Sequence, residues 1–117
     1  MNISKETNKT IEELQVLEQH LQGFLAQKQA IQIELQEVLS ALDEIRMTKD
    51  EVYKMLSGVM LKADKISLLK ELEEKKKLME LRMSSIEKQE ELLEERTDKL
   101  KKKIAIAKDV NISPYPV

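Results

Sequence analysis

The chain has no cysteine and no tryptophan, one histidine, one phenylalanine, two tyrosines, two glycines and two prolines. Without cysteine there is no disulfide, no thiol nucleophile and no thiolate metal site, a usage that fits a reducing cytosol. His20 has no second histidine with which to share a metal and reads as a surface residue. The shortage of aromatics, glycine and proline speaks against a compact β domain or a layered α/β enzyme. No glycine-rich phosphate loop is present, so no catalytic residue, cofactor or metal site is expected. No apolar run approaches the roughly 20 residues that span a bilayer. The first ten residues, MNISKETNKT, are polar and contain no signal-peptide apolar stretch. The expected address is therefore the cytoplasm. A net charge of −2 gives no general attraction to nucleic acid or to an anionic membrane.

What is present is a chain of 117 residues, 36% charged and 41% apolar, rich in Leu, Glu, Lys and Gln. That mixture marks a long helix or a coiled coil, which buries a seam rather than a globular core. A ligand pocket of ordinary size is not expected from such a shape.

Residues 3, 7, 10, 14, 17, 21, 24, 28, 31, 35, 38, 42 and 45 alternate in steps of four and three. They read Ile, Thr, Thr, Leu, Leu, Leu, Phe, Lys, Ile, Leu, Val, Leu and Ile. Spacing of this kind predicts a coiled-coil helix over residues 3–47. Thr10 followed by Glu13 has the form of a capping box, which would leave residues 3–9 irregular. Gly23 falls on the outer face, either as a tolerated solvent-facing residue or as a soft point in the arm.

After Lys65 the positions 69, 72, 76, 79, 83, 86, 90, 93, 97, 100, 104 and 107 repeat the pattern. They read Leu, Leu, Lys, Met, Met, Ile, Glu, Leu, Thr, Leu, Ile and Ala, predicting a second helix over 66–108. The two series mirror each other. Ile45 falls opposite Leu69, Leu42 opposite Leu72, Leu35 opposite Met79, Leu21 opposite Leu93 and Leu14 opposite Leu100. Each a position then faces a d position, as antiparallel helices require. The lysine runs 75–77 and 101–103 lie beside acidic clusters and have no aromatics between them, which makes them a solvated face rather than a nucleic-acid site.

Between the arms, residues 51–64 read as a β-hairpin. Val52–Leu56 and Val59–Ala63 flank Ser57-Gly58. A two-residue loop there pairs Leu56 with Val59, Met55 with Met60, Lys54 with Leu61 and Tyr53 with Lys62. The rival local reading continues the first helix through Leu56 and stops it at Gly58. As a hairpin, the segment carries large apolar groups on both faces. Val52, Leu56, Val59 and Leu61 lie on one, Tyr53, Met55 and Met60 on the other. A lone two-stranded hairpin is barely stable in water, and its edges offer unpaired backbone groups. Pairing with other subunits through Val52, Tyr53, Met55, Leu56, Gly58, Val59, Met60 and Leu61 is the expected remedy.

Two heptad arms around Val52-Tyr53-Lys54-Met55-Leu56-Ser57-Gly58-Val59-Met60-Leu61 resemble the prefoldin family in its archaeal β-type form. The stretches Gln27–Gln29, Ala41–Ile45 and Ile86–Glu91 add to the resemblance, which covers essentially the whole chain. Residues 47–51 lack the usual proline, which puts the exit from the first helix in doubt. The resemblance implies a mainly α fold: a long antiparallel two-helix coiled coil whose central hairpin joins an oligomeric β-barrel. It implies a heterohexamer of two α-type and four β-type subunits. It also implies a chaperone that uses no ATP, holds unfolded polypeptides between its coil tips and passes them to a group II chaperonin.

On that reading both termini lie at the end of the coil away from the hairpin, about 60 Å off at 1.5 Å per residue. There Thr7, Thr10 and Thr97 replace larger apolar seam residues, which predicts a loosened tip. Ile3, Ile11, Leu14, Ile104, Ile106, Val110, Ile112 and Tyr115 are the candidate client-binding residues, the last three in a flexible tail over 109–117. The competing reading has Ile3, Ile11 and Ile104 simply finishing the coil. A different functional class also fits the pattern: a structural coiled-coil adaptor bound to one specific folded partner.

Overall fold

A computed structural model describes residues 4–112, with side chains over residues 4–107. The element order is α1 (Lys5–Met47), β1 (Val52–Leu56), β2 (Val59–Ala63) and α2 (Lys65–Ile112). Two helices of 43 and 48 residues thus flank a two-stranded antiparallel hairpin. The chain divides into two compact units. One joins residues 1–27 to 86–117, and the other holds residues 28–85 with the hairpin.

Both helices are built from strong helix formers and contain no proline. The capping-box expectation at Thr10 is not met, because α1 starts earlier. Ser4 caps it: the Thr7 amide donates to Ser4 Oγ at 3.1 Å. Thr10 lies inside the helix, and its hydroxyl donates back to the Glu6 carbonyl at 2.9 Å. Glu6, in the first turn, suits the positive end of the helix dipole. Gly23 sits within α1, and a Cβ added there would meet nothing within 4 Å.

Asp64 caps α2: its Oδ2 accepts from the Ser67 amide at 3.0 Å and from the Ser67 hydroxyl at 2.8 Å. The helix runs to Ile112, four residues past the end expected at 108. Residues 113–117 lie outside the described residues.

Within the unit of residues 28–85, the core is Val38, Leu42 and Met79, packed against Ile31, Leu35, Leu69 and Leu72. Leu42 is the deepest, 1% exposed. All seven are seam positions, and Leu35 with Met79 and Leu42 with Leu72 are expected partners. In the other unit the buried seam residues are Thr10, Ile86, Thr97 and Leu100. Every seam position from Thr7 to Ala107 is buried or half-buried.

Ion pairs flank the seam. Arg96 lies 2.9 Å from Glu13, Lys75 3.2 Å from Glu34 and Lys101 4.0 Å from Glu18, and Arg46 pairs with Glu73. Glu13, Arg96, Glu34 and Lys75 each immediately precede a seam residue. Glu18, Lys101, Arg46 and Glu73 each immediately follow one. Like flank meets like flank only when the helices run antiparallel.

Candidate functional site

Two regions combine exposed apolar groups with a defined backbone. The first is the hairpin. Its register is Val52↔Ala63, Tyr53↔Lys62, Lys54↔Leu61, Met55↔Met60 and Leu56↔Val59. The turn residues Ser57 and Gly58 both have positive φ, 48° and 81°. Left-handed geometry at both positions matches the right-handed twist of the strands, and the glycine makes it inexpensive at the second. The rival reading, a helix continued through Leu56, does not occur.

Val52, Lys54 and Ala63 are half-buried and share one face of the hairpin. On that face Lys54 Nζ reaches Glu71 of α2 at 2.6 Å, tying β1 to the helix. The Lys65 ammonium donates to the Thr48 carbonyl at 2.7 Å, closing the end of α1 across the hairpin base. Leu68, off the expected seam, is buried beside a small groove that Ile45, Thr48, Val52 and Tyr53 also line. The opposite face carries Tyr53, Met55, Met60 and Lys62, with the first three well exposed. There Glu51 accepts from Lys62 Nζ at 2.9 Å and from the Tyr53 hydroxyl at 3.0 Å. Lys62 first and Tyr53 second hold the Glu51 carboxyl below its ordinary value.

Leu56, Val59 and Leu61 are exposed as well. Sequence reasoning missed Met47 and Ile66, 83% and 78% exposed, which adjoin the hairpin at the ends of α1 and α2. Their signal was available: both are large apolar residues outside the heptad series and next to the turn. The apolar surface is therefore wider than the strands.

The second region lies where the start of α1 meets the last turns of α2. A groove of about 290 Å³ is lined by Ser4, Glu6, Thr7, Thr10, Lys103, Ile104, Ile106 and Ala107. Small seam side chains at Thr7, Thr10 and Ala107 leave the space that larger residues would fill. The loosened tip expected here takes a different form. Thr10 and Thr97 are 6% and 5% exposed, so the helices close on both, and the groove opens at the seam positions Thr7, Thr10, Ile104 and Ala107.

Of the residues proposed for this end, Ile104 and Ile106 line the groove, half-buried and exposed respectively. Ile11 and Leu14 are half-buried on α1 and do not line it. Val110 and Ile112 belong to α2, but their side chains, together with Ile3 and Tyr115, lie outside the described residues. Among the described residues no group of His, Asp and Glu side chains could hold a metal ion. No helix there is long and apolar enough to cross a membrane.

A family model described as prefoldin subunit matches residues 8–109, most of the chain. The chain belongs to the prefoldin family. Two prefoldin helices joined through one hairpin also describe the crystal structure of the prefoldin beta subunit from Thermococcus strain KS-1. This prefoldin chain is 34% identical to it, with a TM-score of 0.84 over 91% of the present chain and 95% of the other. No match is found among curated proteins. Prefoldins are non-enzymatic chaperones that work as hexamers with other prefoldin subunits, so a chaperone role and a multi-subunit complex follow from membership.

Proposed function

We infer that this chain is a β-type subunit of a prefoldin hexamer and acts as a holdase without ATP. Two α-type and four β-type subunits would share strands through the hairpins, forming barrels. The exposed faces at Tyr53, Met55 and Met60 support that reading, because a two-stranded sheet with apolar groups on both sides gains from further pairing. Unfolded polypeptides would be held at the coil end bearing the termini and handed to a group II chaperonin.

The observation that carries the client role is the groove of Thr7, Thr10, Ile104, Ile106 and Ala107. Ile104, Ile106 and Ala107 give it apolar lining from α2, and Ser4, Glu6 and Lys103 border it. Such a site suits an apolar side chain from any unfolded segment rather than one particular ligand. Binding by a single groove is weak. Several on one platform hold a client through avidity.

Removing residues 1–10 and 106–117 deletes most of the groove and leaves the hairpin. The truncated chain is expected to assemble with an α-type subunit by native mass measurement. It is also expected to lose suppression of aggregation of guanidinium-denatured citrate synthase. Full protection by the truncated chain would overturn the client role. One folded partner at fixed stoichiometry, with no protection of varied clients, would establish the adaptor reading instead.

A further inference from the structure

The chain has no cysteine, so methionine carries all of its sulfur, at six positions. Met1 lies outside the described residues. Met79 belongs to the seam core and is 3% exposed, and Met83 is half-buried on the seam. Met47 is exposed at the end of α1. Met55 and Met60 are 65% and 66% exposed and stand directly opposite each other across the hairpin. Side chains paired in this way hold their Cβ atoms about 4.5–5.5 Å apart, so the two thioethers form one surface. Tyr53 and Lys62 share that face, and both donate to the Glu51 carboxylate. The two side-chain donors nearest the sulfur pair are thus committed to Glu51.

We propose that Met55 and Met60 form a redox-sensitive modification site: a hydroperoxide converts them to sulfoxides, and the free subunit then no longer assembles until they are reduced. This rests on the reading that the hairpins join the subunits, and it adds a control to that surface. A sulfur lone pair attacks the terminal peroxide oxygen. The S–O bond forms, the O–O bond breaks, and the proton of the transferred oxygen passes to the leaving one. Sulfur loses two electrons, and hydrogen peroxide leaves as water. A thioether becomes a polar group that accepts hydrogen bonds and donates none. Two such oxygens facing each other cannot satisfy one another. Covered by strands of a neighbouring subunit, each loses its water without a replacement. In the free chain both stay hydrated, and neither residue belongs to the seam core, so the helices are unaffected. Assembly covers the pair, so the control acts on free subunits.

The isolated full-length chain is treated with hydrogen peroxide, and peptide mass spectrometry locates the added oxygen. Met55 and Met60 are expected to gain one oxygen each well before Met79, with helicity by circular dichroism unchanged. Titrated with an α-type prefoldin subunit and followed by native mass spectrometry, the treated chain is expected to assemble about tenfold or more weakly. Methionine sulfoxide reductases for both sulfur epimers, with dithiothreitol as reductant, are expected to restore assembly. Each sulfoxide oxygen then leaves as water while the dithiol becomes a disulfide. Met55→Leu with Met60→Leu keeps the apolar bulk and is expected to assemble with or without peroxide, whereas Met47→Leu keeps the sensitivity. Undiminished assembly of the treated chain overturns the proposal. So does sensitivity that persists in the double variant or vanishes in Met47→Leu, and so does a loss of assembly that the reductases do not reverse. If the untreated chain does not assemble, or assembles with Met55 and Met60 as reactive as in the free chain, the hairpin reading itself falls. If assembly shields them and their oxidation does not weaken it, only the redox site falls.

Discussion

Arg96 donates from both Nε and a terminal nitrogen to the same Glu13 oxygen, at 3.2 and 2.9 Å, across 83 positions of sequence. The pair sits beside the seam layers of Leu14 and Thr97 and marks the antiparallel register at this end. Both side chains are about half exposed. Solvent screening therefore keeps its contribution small, and its role is to set register rather than to supply stability. In a double-mutant cycle, Arg96→Glu alone should destabilise the chain. Adding Glu13→Arg should recover the loss, with a coupling of about 0.2–1 kcal/mol. Urea denaturation reads the cycle, and zero coupling would mean that the two charges act independently.

Gly23 lies within a continuous helix and faces open space. Gly23→Ala should raise stability by about 0.5–1 kcal/mol, because the helix no longer bears the conformational entropy of glycine. A lower melting temperature would show that the arm requires a soft point there.

Leu42 is the most deeply buried side chain described. Leu42→Ala removes its contacts with Val38 and Met79 and leaves a void. A loss of about 2–5 kcal/mol is expected, read by denaturant unfolding with circular dichroism. A loss below about 1 kcal/mol would mean that the seam collapses to fill the space.

Met55 and Met60 stand opposite each other on the outward face of the hairpin, and Met60 is 66% exposed. Met60→Asp should leave helicity unchanged, since no helix depends on it. Assembly should be lost in native mass spectra. An intact complex would show that this face stays solvated.

Asp64 caps α2, and its bonds from the Ser67 hydroxyl and amide hold its carboxyl below the ordinary value of 3.8. Glu51 is likewise held below 4.5 by Lys62 and Tyr53. A carboxyl depressed on folding stabilises the fold above its unfolded value, and that contribution disappears as pH falls through the folded value. The base of the hairpin should therefore loosen below about pH 4, seen as a shift of the Ser67 amide resonance. Asp64→Asn should remove the part of this dependence due to the cap. A pH dependence unchanged in that variant would assign it elsewhere.

The heptad spacing alone identified every seam position from Thr7 to Ala107 as buried or half-buried. The reason is that each helix must turn its apolar stripe towards whatever it packs on. Ser57-Gly58 between two apolar runs offered a two-residue hairpin turn beside a helix continued through Leu56, and only the structure, with positive φ at both turn residues and Leu56 paired to Val59, decided between them. The cap at Ser4 was obscured by a better-looking box at Thr10. Thr10 lies inside α1, and its hydroxyl bonds back to the Glu6 carbonyl instead of forward to an amide, while Ser4 takes the cap. Leu68 escaped notice because it lies off the heptad series, and the neighbours beside which it is buried, Ile45, Thr48, Val52 and Tyr53, are brought together by the fold and not by any period within α2.

The sequence by itself determined the helices, their antiparallel sense and the fold-back point, since periodicity and turn chemistry are local and survive in any packing. Only the tertiary structure decided that Thr97 is sealed without a partner, that a groove opens where Thr7, Thr10, Ile104 and Ala107 meet, and that Met47 and Ile66 stand exposed beside the hairpin. Each of these depends on the space left between two elements, which is a property of their mutual approach and not of either alone.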